Sequence, residues 1–139
     1  MRDSEKIVDT ISRKLSSYIL LFGLYLVSYG HLSHGGGFQG GVVLASGVII
    51  LYLSRGYAQA QRVFPVRTLS LAELASFLLF LVMGIAGLLL GRRFLGNFLP
   101  LGKIGEVPSA GFIFFLNIII GLKVGAGISL ICFYLLEER

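Results

Sequence analysis

Two charged side chains stand where a polar group needs a reason. Lys123 lies near the middle of Val107 to Leu136, thirty residues without another charge. A charge at the centre of an apolar span costs about 2.5 to 3.5 kcal/mol. Either interface would lie about 15 Å away, farther than a lysine stem reaches. Lys123 must therefore face protein or water, held by a carboxylate or carbonyls, or neutral and able to exchange a proton. Glu73 is the one acid positioned to fall within a span, six residues after Arg67. It suits the N-terminal end of a helix dipole, and in either role it should turn away from lipid. With antiparallel helices, Lys123 is expected about 10 Å deeper than Glu73, beyond direct reach without water. A cation without a nearby acid is half a relay, which favours a lysine held at a subunit interface.

Three other residue types invite chemistry. His31 and His34 stand three apart at the end of an apolar run. They can cap freed backbone groups or relay protons near neutral pH, and capping is the simpler role. Without a third ligand they make no zinc site, so no metal and no cofactor are expected. Asn117 suits an inter-helix hydrogen bond or a place on a proton path. The single cysteine, Cys132, gives neither a disulfide framework nor metal spacing and reads as a small buried hydrophobe.

The histidines open the stretch GHLSHGGGFQGG, Gly30 to Gly41, in which six of twelve residues are glycine. A phosphate loop would need G-x-x-x-x-G-K-[ST], and this stretch has no lysine or arginine. Its spacing suits helix packing instead. Gly37, Gly41 and Ala45 recur every four residues, as do Gly36 and Gly40. Gly84, Gly87 and Gly91 line a second helix, and Asn117, Gly121, Gly125 and Ser129 a third. Small faces let backbones approach in lipid. Three of them exceed what four helices need among themselves, so contact with other proteins' helices is expected beside packing within the chain.

The elements that carry these residues follow from composition. The chain has 139 residues, 55% apolar and 14% charged, whereas soluble domains are about 25% charged. Such sparse charge identifies an all-α integral membrane protein. The net charge of +5 does not indicate nucleic acid, because the basic residues flank apolar runs instead of clustering. Uncharged runs cover Leu15–Leu32, Gly35–Ser54, Leu74–Gly91 and, but for Lys123, Val107–Leu136. Each is long enough for about 30 Å of hydrocarbon and lacks a barrel strand's alternation. The expectation is one domain over 1–139, with four transmembrane helices near 12–32, 37–55, 70–91 and 109–136 and short loops. Ile7, Ile11 and Leu15 extend an apolar stripe ahead of the first. Nothing resembles a signal-peptide cleavage site. Eight basic residues (Arg2, Lys6, Arg13, Lys14, Arg55, Arg62, Arg67, Arg139) would lie inside, against Arg92, Arg93 and Lys103 outside. That predicts N-in and C-in. Pro108 fits the start of the last helix, and Glu106 and Lys103 should be solvated or contacting neighbours.

GHLSHGGGFQGG, followed by a long apolar helix, resembles the hallmark of the MnhB family, which forms one membrane subunit of multisubunit Mrp-type sodium/proton antiporters. PLGKIGEVPSAGFIFFLNIIIGLKVGAG, Pro100 to Gly127, resembles the family's second half. His34 stands where the family usually has proline, and Asn117 lies near a position where many members carry an acid, so an acid's proton role is not transferred to it. The resemblance implies a non-catalytic, multi-pass subunit in the cell membrane of a prokaryote. Its partners would be other membrane subunits of a sodium/proton-translocating complex, alone or within a redox-driven hydrogenase or sulfane reductase. Lys123, Glu73, His31 and Asn117 would be its ion or proton path candidates. The alternative is a self-contained cation-coupled transporter acting as a homo-oligomer, which needs Glu73 as its coupling carboxylate. A membrane enzyme is disfavoured, for want of a triad, metal cluster or haem ligand pair.

Overall fold

The computed structural model describes residues 2–32, 35–97, 99 and 111–137, with side chains from Lys6 onward. His34, Lys103, Glu106, Pro108 and Arg139 lie outside the described residues. Five helices follow one another: α1 (Arg2–Tyr29), α2 (Gly37–Arg55), α3 (Tyr57–Val63), α4 (Val66–Leu89) and α5 (Phe112–Glu137). Of these, α2, α4 and α5 are long and apolar enough to cross a membrane. The apolar half of α1 runs only from Leu15 to Tyr29, about 22 Å of helix at 1.5 Å per residue.

Local chemistry sets the boundaries. Gly56 ends α2 with φ +77°, a left-handed conformation suited to glycine, and its N–H donates to Tyr52 O at 2.8 Å. The short α3 of Tyr57, Ala58, Gln59 and Ala60 onward has no counterpart among the expected elements. Pro65 then precedes α4 in an extended conformation, and its carbonyl accepts from Leu69 N–H at 3.0 Å. A proline is tolerated there because the first helical N–H groups need no internal partner. As a result α4 starts at Val66, a full turn earlier than residue 70.

The helices pack in the order α1, α2, α5, α4, with α5 joining α2 to α4. Along the α1–α2 seam, Ser16 Oγ donates to Gly47 O at 2.7 Å. A Cβ on Gly40 would stand 2.5 Å from Val27 Cγ2 and 2.9 Å from Val27 N. The α2–α5 seam is similarly close. A Cβ on Gly41 would stand 2.7 Å from the Gly121 carbonyl oxygen and 2.8 Å from Val124 Cβ. On the α5 side, a Cβ on Gly125 would stand 3.3 Å from Gly41 O. At one end this seam widens into an apolar core of Val48, Tyr52, Ala60 and Phe133, where Tyr52 and Phe133 meet edge to face at 4.9 Å.

The small faces of α2 and α5 thus meet each other inside the chain. Ala45 is buried with them. Gly84 lies against the Phe94 ring, and a Cβ on Gly87 would stand 3.0 Å from Arg93 O, both contacts lying in the turn after α4. For α2 and α5 it is packing within the chain, one half of the expectation for these faces, that the contacts display. The physical reason is that the α2 glycines Gly37, Gly40 and Gly41 each find an α1 or α5 backbone within van der Waals reach.

At the charged end, Arg55 closes a two-pronged ion pair with Asp9, Nη2 to Oδ2 at 3.0 Å. The hydrogen bond from Arg55 holds the Asp9 carboxyl below its ordinary value of 3.8. The stability this pair adds is therefore present above 3.8 and disappears as pH falls through the lowered value. Asp9→Asn should narrow the melting-temperature gap between near-neutral and strongly acidic detergent solution. An unchanged gap would deny the pair a part in docking α1.

Candidate functional site

The polar residues fall in two groups, on different sides of α5. The first group gathers where α2 begins. A helix start leaves unpaired N–H groups, and the N-cap of α2, Gly36, has no side chain to offer them. Asn117, from α5, supplies the missing acceptor, its Oδ1 taking the Gly37 N–H at 3.3 Å. A side chain on Gly37 would collide with the Asn117 carbonyl. One turn earlier on α5, Phe114 meets the His31 ring edge to face at 5.3 Å. Glycine at 37 and asparagine at 117 therefore form one joint. Asn117→Leu should cost about 1 kcal/mol, the usual worth of a cap or neutral hydrogen bond. A fall of a few degrees in melting temperature with assembly retained would verify it.

The second group is Glu73 and Lys123. Glu73 is on the second turn of α4 and Lys123 near the middle of α5. Their side chains meet, Lys123 Nζ donating to Glu73 Oε1 at 3.3 Å. The expected gap of about 10 Å, without direct contact, is corrected. Glu73 Cγ packs beside Gly127, one turn beyond Lys123 on the same face, 3.8 Å from where a Cβ would stand, an ordinary van der Waals contact. The carboxylate thus lies flat on α5, and the lysine stem spans the remaining turn. Lys123 Nζ also sits 5.5 Å from the Phe77 ring centroid, a cation–π contact.

The pair borders an open cleft of about 410 Å³ lined by Ser70, Glu73, Leu74, Phe77 and Lys123. Both charged side chains remain 39% exposed. Chemically this is a carboxylate and an amine in one hydrogen bond, each with unused capacity, able to pass a proton or release one another. Asn117 and Lys123 are about 9 Å apart along α5 and roughly 240° apart around it. The four candidate residues consequently do not form one continuous route among the described residues. No three His, Cys, Asp or Glu side chains come together there either.

Two further residues, with fainter sequence signals, hold the frame. Asn97 accepts from Leu99 N–H at 3.1 Å and from Phe112 N–H at 3.3 Å, tying the turn after α4 to the start of α5. A loop asparagine between two apolar runs is the signal that marks it. Asp9 has the weaker signal of an acid on the apolar stripe's flank, and its partner is 46 residues away.

Comparison with known proteins extends this geometry to a family. A family model described as "Domain related to MnhB subunit of Na+/H+ antiporter" matches residues 7–130. An uncharacterised protein of Methanocaldococcus jannaschii is 32% identical over 139 residues, covering 96% of this chain and 53% of that protein. The corresponding B-type chain of the Na(+)/H(+) antiporter of Bacillus subtilis is 32% identical over 94 residues, covering 68% of this chain and 65% of that one. Among solved structures, a chain of the membrane-bound sulfane sulfur reductase, an archaeal respiratory membrane complex, superposes with a TM-score of 0.79 at 32% identity. The match covers 94% of this chain and 57% of that one. The chain thus spans about half to two thirds of the length of these relatives.

Proposed function

Because the chain belongs to the family of domains related to the MnhB subunit of Na+/H+ antiporters, we propose that it is a non-catalytic subunit of a multisubunit sodium/proton-translocating complex. It is a multi-pass protein of the cell membrane, with three apolar helices of spanning length. We take the apolar half of α1, continued by its charged first half in the headgroup layer, as a fourth crossing with both termini inside. The excess of basic residues on the proposed inner side supports that orientation.

The observation that carries the reading is the Glu73–Lys123 pair, held in an apolar seam and open to the chain's outer surface. A charged pair there has no use in packing α4 on α5, which apolar residues do better. It suits a hydrated path completed by neighbouring subunits. The joint of His31 and Asn117 holds α2 against α5 and so fixes the frame from which Lys123 projects. Any redox chemistry of a hydrogenase-like or sulfane-reductase-like assembly would belong to other subunits.

The test is transport in everted membrane vesicles from a host lacking its own antiporters. The full set of complex subunits should discharge a proton gradient on adding sodium. The set lacking this chain should not. Equal discharge without it would overturn the assignment, and discharge by this chain alone would favour the self-contained transporter.

A further inference from the structure

The α4 edge of the molecule carries more than lipid-facing apolar surface. Only 17% of the spanning window of α4 is buried, against 44% for α2, because α4 leans on α5 alone among the long helices. Leu71, Leu79 and Val82 on its far side are apolar and more than half exposed, as lipid contact requires. The cleft side differs. Ser70, Glu73, Leu74 and Phe77 recur at helical spacing, and Lys123 of α5 completes the patch.

Lipid cannot satisfy this patch. Lys123 has three N–H donors and Glu73 two oxygens, and a single 3.3 Å hydrogen bond with one cation–π contact uses a minority of them. In hydrocarbon, each remaining donor and acceptor would be left without a partner. Water alone would need a wide aqueous opening beside Leu74 and Phe77, which are apolar. We propose that the Glu73–Lys123 cleft is the seat of a transmembrane helix from a different subunit, one that presents an amide or hydroxyl side chain to the pair. The pair is already neutral overall, so a further charge would stand uncompensated, whereas Asn, Gln, Ser or Thr supplies donor and acceptor without charge. The cleft, about 410 Å³, has room for one such side chain and part of its helix.

This inference rests on the reading of the chain as a subunit of a larger complex. The experiment keeps the two apart. A photoreactive benzophenone amino acid replaces Leu74, or Phe77 in a second variant that preserves an aromatic ring, in the complete affinity-tagged complex. Leu79, roughly 140° around α4 at about 100° per residue, serves as the control. After illumination in native membranes, the expected result is a shift of the 15.1 kDa chain into an adduct with a different subunit at Leu74 and Phe77. The captured peptide should lie in an apolar helix with Asn, Gln, Ser or Thr within one turn of the adduct. Capture of lipid alone at both cleft positions, with the complex intact, would overturn the seat while leaving the subunit reading in place. Capture of a helix without such a residue would overturn the stated chemistry. An adduct only with a second copy, in a preparation holding no other subunit, would overturn both.

Discussion

Gly41→Leu should deplete the folded chain from membranes and abolish assembly of any complex that contains it. A Cβ alone at this position would stand 2.7 Å from Gly121 O, 2.8 Å from Val124 Cβ and 3.1 Å from Gly125 N. Two of those atoms are backbone, so no rotamer change relieves them and α2 must move off α5. Overpacking usually costs about 1 to 3 kcal/mol, and a contact against backbone belongs at the upper end. Since about 1.4 kcal/mol is a factor of ten and whole domains are worth only about 5 to 15, the folding equilibrium constant should fall at least tenfold, and cellular clearance of the enlarged unfolded pool should lower accumulation several-fold. Val42→Leu is the matched control. It is the next residue, 38% exposed, and should leave accumulation unchanged. Quantitative blotting of membranes against native gels reads both variants. Normal assembly of Gly41→Leu would refute the close-packed seam.

Lys123→Leu should remove cation-dependent transport while the complex still assembles. The substitution leaves Glu73 without its counter-charge between α4 and α5. A lone charge at a helix centre costs about 2.5 to 3.5 kcal/mol, and protonation of Glu73 offers an escape from most of that. Assembly can therefore survive, whereas a group that must alternate its proton or partner cannot function. Glu73→Gln should give the same loss from the other side. The double variant Lys123→Leu with Glu73→Leu removes both charges, so the chain should accumulate in membranes at the wild-type level without recovery of transport. If Lys123→Leu instead abolishes assembly and the double variant restores transport as well, the pair is a structural clasp and no part of the path.

Much of this was legible from residue spacing. Helical class followed from uncharged runs, and the four-residue spacing of Gly37, Gly41 and Ala45 marked the first turns of α2. The direction of the small faces was not legible. Gly37 lies eighty-four residues from Gly121, and Gly41 eighty-four from Gly125, and spacing along one helix does not say which other helix answers it. The Glu73–Lys123 contact was hidden for a related reason. Axial spacing placed the two about 10 Å apart, but it ignored the reach of the lysine stem along α5. The first turn of α1, ahead of the stripe that Ile7, Ile11 and Leu15 mark, and the existence of α3 escaped because charged, helix-favouring residues carry no hydropathy signal. Arg2 to Lys14 and Tyr57 to Val63 are both helical and both polar at intervals.

The seam and the pair together make a chain whose small faces are largely settled internally, apart from one charged cleft that its own residues leave open. Such a chain should be found with company. The most direct measurement is extraction in a gentle detergent, followed by native mass determination and identification of the chains that travel together. The predicted result is a particle many times heavier than the 15.1 kDa chain, containing antiporter-like membrane subunits; iron–sulfur or nickel subunits in it would mark the redox-driven kind. A stable particle made only of copies of this chain would contradict membership in a larger complex and move the search for coupling to Glu73 and Lys123 within a homo-oligomer.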